Sequence, residues 1–436
     1  MAFTITTNGT VTTYQGTDGV DTAAIASLPT GSTSVDVFGE GADDVVNWGI
    51  TLTSSSIRGG SGNDILTPNI IAGATLISSF LNGNGGNDTI GNPQLGVPGT
   101  LSTISGGQGS DTIYVGNLQS SLVNGNLGDD IITTGVETGA TVNTSDSSIF
   151  GGQGNDRIVV GDGADGSRGN SNNSGYINTI IDGNLGDDVI EVDLDNRRNV
   201  TLFQNSIIAG GEGNDRINAD GSEPDLTLDG GTGRDTIIGG YGDDIITGGS
   251  GEDSLLGGSG ADTINGGDED DVLNGGSDSD RLTGGTGSNR FVQRNNSTSN
   301  ASFTPDIGGL AGLDAGDTFD FGSVDVVTDW ATGSGTNKID TGVLGLAINA
   351  AFNPPTSNQS YGATLPGAFA QNYAIRGNFN AANGTFVVTP QPGFTGGDIL
   401  VFTLAANATN FGDATNYTVL QGAGNSQLSA SDFVVV

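Results

Sequence analysis

The sequence predicts an all-β chain wound into a solenoid, and three observations carry that prediction. From Gly230 to Val292 it runs as seven nine-residue units with nothing between them: GGTGRDTII, GGYGDDIIT, GGSGEDSLL, GGSGADTIN, GGDEDDVLN, GGSDSDRLT and GGTGSNRFV. Each unit has Gly-Gly at positions 1 and 2 and a large apolar residue at position 8. Copies of the same motif recur upstream, from Gly59, at wider intervals. A fixed short period is what stacked coils require, because each repeat can bury its apolar side only against its neighbours. A flexible Gly-rich linker would have no reason to hold Ile237, Ile246, Leu255, Ile264, Leu273, Leu282 and Phe291 at one phase.

Residues 1–38 form the first segment, a Thr-rich N-terminal cap or hairpin. In FTITTNGTVTTY the pair Asn8-Gly9 separates two extended runs, the usual signal for a hairpin turn. Two degenerate turns follow, GTDGVD around Asp21 and GEGADD around Asp44. At those two, an ordinary loop carboxylate and a metal ligand are equally good readings.

Residues 39–292 form the roll, interrupted over 39–229 and tandem over 230–292. The interrupted copies are GGSGNDILT, GNGGNDTIG, GGQGSDTIY, GNLGDDIIT, GGQGNDRIV, GNLGDDVIE and GGEGNDRIN. Their position-6 residues are Asp64, Asp88, Asp111, Asp130, Asp156, Asp188 and Asp215, and position 8 is apolar in all. Another aliphatic stands two residues before each motif: Ile57, Leu81, Ile104, Val123, Ile149, Ile181 and Ile208. The chain is therefore expected to leave the roll after position 8 and rejoin in the same inward phase, with polar insertions protruding as loops. Position 2 alternates Gly60, Asn84, Gly107, Asn126, Gly152, Asn184, Gly211. That alternation predicts two files of turns, with Asp64, Asp111, Asp156 and Asp215 on one side and Asp88, Asp130 and Asp188 on the other.

Position 6 carries the chemistry. In the tandem block it is Asp235, Asp244, Asp253, Asp262, Asp271 and Asp280, with Asn289 in the last unit. Stacked carboxylates repel, and the chain has 12 Lys+Arg against 50 Asp+Glu and no His, so its own side chains cannot supply the counter-charge. A hard dication held by carboxylate and turn carbonyl oxygens can. A flexible all-protein oxygen cage favours Ca²⁺ over Mg²⁺.

These units resemble the GGxGxDxUx repeats of the RTX (haemolysin-type calcium-binding) family. The resemblance implies a right-handed parallel β-roll with two nonapeptides per turn and multiple Ca²⁺ between turns. It also implies export through an uncleaved C-terminal signal. Residues 293–436, where aromatics rise and charge falls, are expected to be a β-rich C-terminal cap, with GTFVVTP and DILVFTLA as strands. Within it DTFDFGSVDVVTDWATGSGTNKID resembles the segment that follows the roll in such proteins. Val324, Val326, Val327 and Trp330 would cover the last turn, with Asp329 and Asp340 at the acidic positions. The end, NYTVLQGAGNSQLSASDFVVV, resembles secretion-signal termini.

Composition narrows the function. A net charge of −38 is incompatible with a nucleic-acid partner and unfavourable for an anionic membrane. Cysteine is absent, so disulfides and thiolate sites are excluded. No apolar run is long enough to span a bilayer, and MAFTITTNGT lacks the pattern of a cleaved signal peptide. Without His or Cys, the Ser-His-Asp, Cys-His and HExxH arrangements cannot be built. The GxGxxG at Gly161–Gly166 has no helix pattern after it and is a chance match among 77 glycines. The expectation is a non-enzymatic, extracellular, calcium-dependent structural protein whose main partner is itself, as in a layer, sheath or filament. The competing readings are an adhesin or binder of cell-surface polysaccharide, and a β-solenoid glycosidase or lyase working through paired carboxylates.

Overall fold

The structure, a computed structural model, describes residues 3–69, 74–93, 96–135, 143–161, 175–193, 203–222 and 224–292, and beyond them 302–304, 318–320, 325–327, 338–340, 371–380, 385–388, 398–404, 414–421 and 433–434. It is all-β, and it divides into two compact units, residues 1–237 and 238–436.

In the first unit, β1 (Thr4–Asn8) and β2 (Val11–Thr17) make an antiparallel hairpin with Asn8 opposite Val11. Gly9 at φ 64° supplies the positive φ that the first position of a tight hairpin loop needs. From there every pairing in this unit is parallel. β2 lies beside β4 (Ser34–Glu40), and β3 (Thr22–Ile25) lies beside Val45–Trp48.

Each later coil has three sides. On the first, Ile57, Leu81, Ile104, Val123, Ile149, Ile181, Ile208 and Leu228 stand in register from coil to coil. On the second, Leu66, Ile90, Ile113, Ile132, Ile158, Ile190 and Ile217 do the same. All of these are buried. Strands such as Ser56–Ser61, Leu122–Leu127 and Ser148–Gln153 alternate buried and part-exposed residues, the period-2 pattern of a sheet with one face on the core.

The third side corrects two expectations. The insertions do not simply protrude as loops. Their ends pair coil to coil, Leu52 with Leu76, Leu76 with Gly99, Gly99 with Leu118, Leu118 with Thr144 and Thr144 with Tyr176. A few buried residues per insertion, such as Leu76, Leu118 and Tyr176, suffice to close the coil. Consequently one coil holds one motif, not two. The Asp64/Asp111/Asp156/Asp215 and Asp88/Asp130/Asp188 sets do not lie on opposite sides. Asn84, Asn126 and Asn184 sit at φ 74° to 81°, in the same left-handed turn position as Gly60, Gly107, Gly152 and Gly211. Asn tolerates that region better than most residues, so the Gly/Asn alternation is substitution within one file.

The second unit is built differently. Ile245–Ser250, Thr263–Asp268 and Arg281–Gly285 form one sheet, while Ser254–Ser259, Val272–Ser277 and Arg290–Val292 form the other. Here two nonapeptides do make one turn. The C-terminal segment continues both sheets: Val327 stands in register with Leu282 and Ile339 with Phe291. Thr385–Val388 and Asp398–Leu404 are strands that pair antiparallel with Gln371–Asn380. Val324, Asp329 and Trp330 lie outside the described residues.

Candidate metal centre

Among the described residues the position-6 aspartates are the most buried charges. Asp21, Asp44, Asp64, Asp88, Asp111, Asp130, Asp156, Asp188, Asp215 and Asp235 in the first unit are each 2% exposed or less, as are Asp244, Asp253, Asp262, Asp271 and Asp280 in the second. Carboxylates are almost never so enclosed unless something pairs with them.

In the first unit they form one ladder. The backbone N–H of Asp21 donates to Oδ1 of Asp44, Asp44 to Asp64, Asp64 to Asp88, and so on through Asp215 to Asp235. These bonds measure 2.6–2.8 Å. In the second unit there are two shorter files, Asp244 to Asp262 to Asp280 and Asp253 to Asp271 to Asn289. Asp21 and Asp44, for which a loop carboxylate and a metal ligand were equal expectations, are both rungs of the buried ladder.

The other carboxylate oxygen points inward. For Asp44, Asp64, Asp88, Asp111, Asp130, Asp156, Asp188, Asp215 and Asp271, Oδ2 is buried and accepts no hydrogen bond. It faces the first glycine of its own motif. A methyl group at Gly59 would run into Asp64 Oδ2 on one side and the Gly83 carbonyl oxygen of the next coil, 2.7 Å off, on the other. Gly106 stands in the same way between Asp111 Oδ2 and Gly125 O at 2.7 Å, and Gly151 between Asp156 Oδ2 and Gly183 O at 2.7 Å. The first glycine is thus required by space. The second is favoured by conformation, with Gly60 at φ 120° and Asn or Glu taking the position at φ 74° to 81° in other copies.

Burial, reinforced by neighbouring carboxylates, pushes these groups well above the ordinary 3.8. Asp64, Asp88, Asp188, Asp215 and Asp271 rise to about 7 and Asp130 to about 8. Asp111, Asp156 and Asp235 rise to about 6, through burial first. A buried carboxylate surrounded by others is strongly disfavoured in its charged form at neutral pH. The ladder therefore needs protons or cations.

The donor set fits Ca²⁺: a carboxylate oxygen without a hydrogen bond beside a turn carbonyl, both hard oxygens, repeated at each coil. Among the described residues no cluster of three or more His, Cys, Asp or Glu side chains converges on a point, so backbone carbonyls must complete any such site. Asn289 differs, since its Nδ2 occupies the place the other rungs give to Oδ2 and faces Gly284.

The sequence matches the model of the RTX calcium-binding nonapeptide repeat over residues 54–68, 102–122, 141–170, 203–222, 227–255 and 256–291. The chain carries RTX calcium-binding repeats. These repeats imply multiple bound Ca²⁺ ions. The matched spans contain every GG motif, but the RTX match passes over the GN copies at Asp88, Asp130 and Asp188, and over Asp21 and Asp44. The structure places all five in the same ladder as the matched RTX aspartates. A comparison with curated proteins returned no match. RTX repeat proteins are typically secreted. Among the described residues no helix is long and apolar enough to cross a membrane, which says nothing about a β-barrel.

A second ladder escaped the sequence reading. At the corner entering the first side, the N–H of Val35, Ser55, Ser79, Ser102 and Ser121 donates to Oγ of Ser55, Ser79, Ser102, Ser121 and Ser147. Thr179 donates likewise to Ser206. The signal was a Ser or Thr two residues before each inward aliphatic, as in Ser102 and Ile104. These corners are satisfied by hydroxyls and need no cation.

Proposed function

We propose that this protein is an extracellular structural element that winds up on Ca²⁺ and then assembles with further copies of itself, without a catalytic role. The observation that carries the reading is the file of buried Asp Oδ2 atoms, each beside the next coil's glycine carbonyl. The residues that would hold the ions are Asp64, Asp88, Asp111, Asp130, Asp156, Asp188 and Asp215, then Asp235, Asp244, Asp253, Asp262, Asp271 and Asp280. Asp44 joins them on the same geometry. Bound Ca²⁺ supplies positive charge between carboxylates that otherwise repel.

The chain's own part is to present those oxygens. The Oδ1 bond to the preceding coil fixes each carboxylate, and the absent side chain of the first glycine leaves Oδ2 its space. In a low-calcium cytoplasm the polyanion stays open. At roughly 10⁻⁴–10⁻³ M Ca²⁺, the range of extracellular modules, binding energy becomes folding energy. Assembly is supported by solenoid geometry, since the last strand at each end has an edge to be capped or paired. The test is purified full-length chain titrated with Ca²⁺ and followed by light scattering and electron microscopy. Ordered polymers above the folding threshold support the reading, and a folded, persistently monodisperse protein refutes the assembly part.

A further inference from the structure

The hairpin at the start of the first unit has a surface that the ladder does not use. β1 gives one edge to β2, and all five of its residues are exposed. Asn8 and Val11 flank a two-residue loop and form a bonded pair, and bonding alternates along an antiparallel ladder. Thr6 and Thr4 therefore bond inward to β2, while the amides and carbonyls of Ile5 and Thr7 face away. The Thr7 and Thr12 hydroxyls, 3.3 Å apart, fit the closer spacing of a non-bonded pair.

Proteins usually protect such an edge with lysine, other charges, proline or a bulge. Residues 3–17, FTITTNGTVTTYQGT, contain no charged residue and no proline. In a chain of net charge −38, two copies repel wherever acidic surfaces meet. Two copies meeting edge to edge along this stretch bring no like charges opposite each other. The strand, Thr4-Ile5-Thr6-Thr7-Asn8, is also free of charge along its whole length.

We propose that β1 is a contact strand by which two copies of this chain join, edge to edge and antiparallel, about Thr6. The proposal rests on the self-assembly reading and names one of its surfaces. The Thr6-centred register pairs all five residues: Thr4 with the second copy's Asn8, Ile5 with its Thr7, and Thr6 with its own counterpart. Ile5 and Thr7 exchange main-chain bonds, which makes the two Thr6 residues a non-bonded pair with Cα atoms about 4.5 Å apart. A two-fold contact closes on itself, so it yields pairs, and growth beyond a pair needs another surface.

The absence of native cysteine allows a direct trap. In full-length protein with millimolar Ca²⁺ under mild oxidation, Thr6→Cys should become mostly disulfide-linked dimer, because that Cα separation is within disulfide reach. Exposed Thr51→Cys, on the body of the solenoid, should link at least tenfold less. Ile5→Pro, which deletes an outward N–H, should lower the dimer fraction with circular dichroism in Ca²⁺ unchanged. Linkage of Thr6→Cys no greater than that of Thr51→Cys overturns the proposal even if Ca²⁺ still produces polymers. Efficient linkage without larger assemblies upholds the contact and refutes the polymer reading instead.

Discussion

The backbone N–H of Asp88 donates to Oδ1 of Asp111, 2.7 Å away on the next coil, while Asp111 Oδ2 stays buried without a hydrogen bond. One carboxylate thus does two jobs with its two oxygens. The first joins coils, and the second is left for a cation. The two can be separated by mutation.

Asp111→Asn retains a carbonyl oxygen for the Asp88 amide and removes the charge. It should fold with less Ca²⁺ than the parent needs at other rungs, yet bind one ion fewer by calorimetry. Asp111→Ala loses both oxygens and strands the Asp88 amide, at about 1–3 kcal/mol. Its Ca²⁺ midpoint in circular dichroism should rise severalfold, whereas Asp220→Ala, at an exposed position, should leave it unchanged. Asn289 is the natural version of the first change, since its side-chain oxygen still accepts from the Asp271 amide at 2.9 Å.

Chelated protein should respond to pH in an unusual direction. Burial raises the folded-state carboxyls from 3.8 to about 6 at Asp111, about 7 at Asp64 and about 8 at Asp130, so the folded ladder binds more protons than the open chain. Their stabilising effect is fully present below about pH 4 and is lost as pH rises through about 6 to 8. In EDTA the β signal should be absent at pH 8.5 and return on acidification towards pH 5.5. A signal that is constant over that range would contradict the burial of ionisable rungs.

The first two rungs of the file make a further contrast. Asp21 closes the ladder with its Oδ2 already accepting from the Thr17 amide at 2.7 Å and the Thr17 hydroxyl at 2.8 Å. Asp44 Oδ2 accepts nothing. Asp44→Ala should therefore bind one ion fewer by calorimetry, as Asp64→Ala does, whereas Asp21→Ala should lower stability with the number of ions unchanged. Equal ion counts for the Asp21 and Asp44 variants would remove Asp44 from the site.

The hydroxyl corner should be indifferent to metal. Ser102 Oγ accepts from the Ser79 amide at 3.1 Å and donates to Thr100 O at 2.9 Å. Ser102→Ala should cost about 1–3 kcal/mol in denaturant midpoints measured at saturating Ca²⁺. The number of ions bound should not change.

The parts of this architecture with a strong period were legible. Gly-Gly, Asp at position 6 and the aliphatic at position 8 recur because each is forced by space, charge or burial at every coil. The coil's third side was not legible, because it is made by isolated pairs such as Leu76-Ile77 set in insertions of varying length. No period marks them. The single file in the first unit was misread for a chemical reason, since Asn126 and Gly107 fill one left-handed position although their side chains differ. The Ser/Thr ladder was visible in principle, but serine is common in this chain and only the register distinguishes Ser102 from its neighbours.

The most direct test is diffraction from crystals grown in Ca²⁺, with an anomalous difference map calculated at long wavelength. The account predicts a row of peaks, one beside Oδ2 of each aspartate from Asp44 through Asp235 and beside the second-unit rungs, with none at Asn289. Aspartates whose Oδ2 atoms meet only water or protein, in an otherwise intact coil, would contradict it.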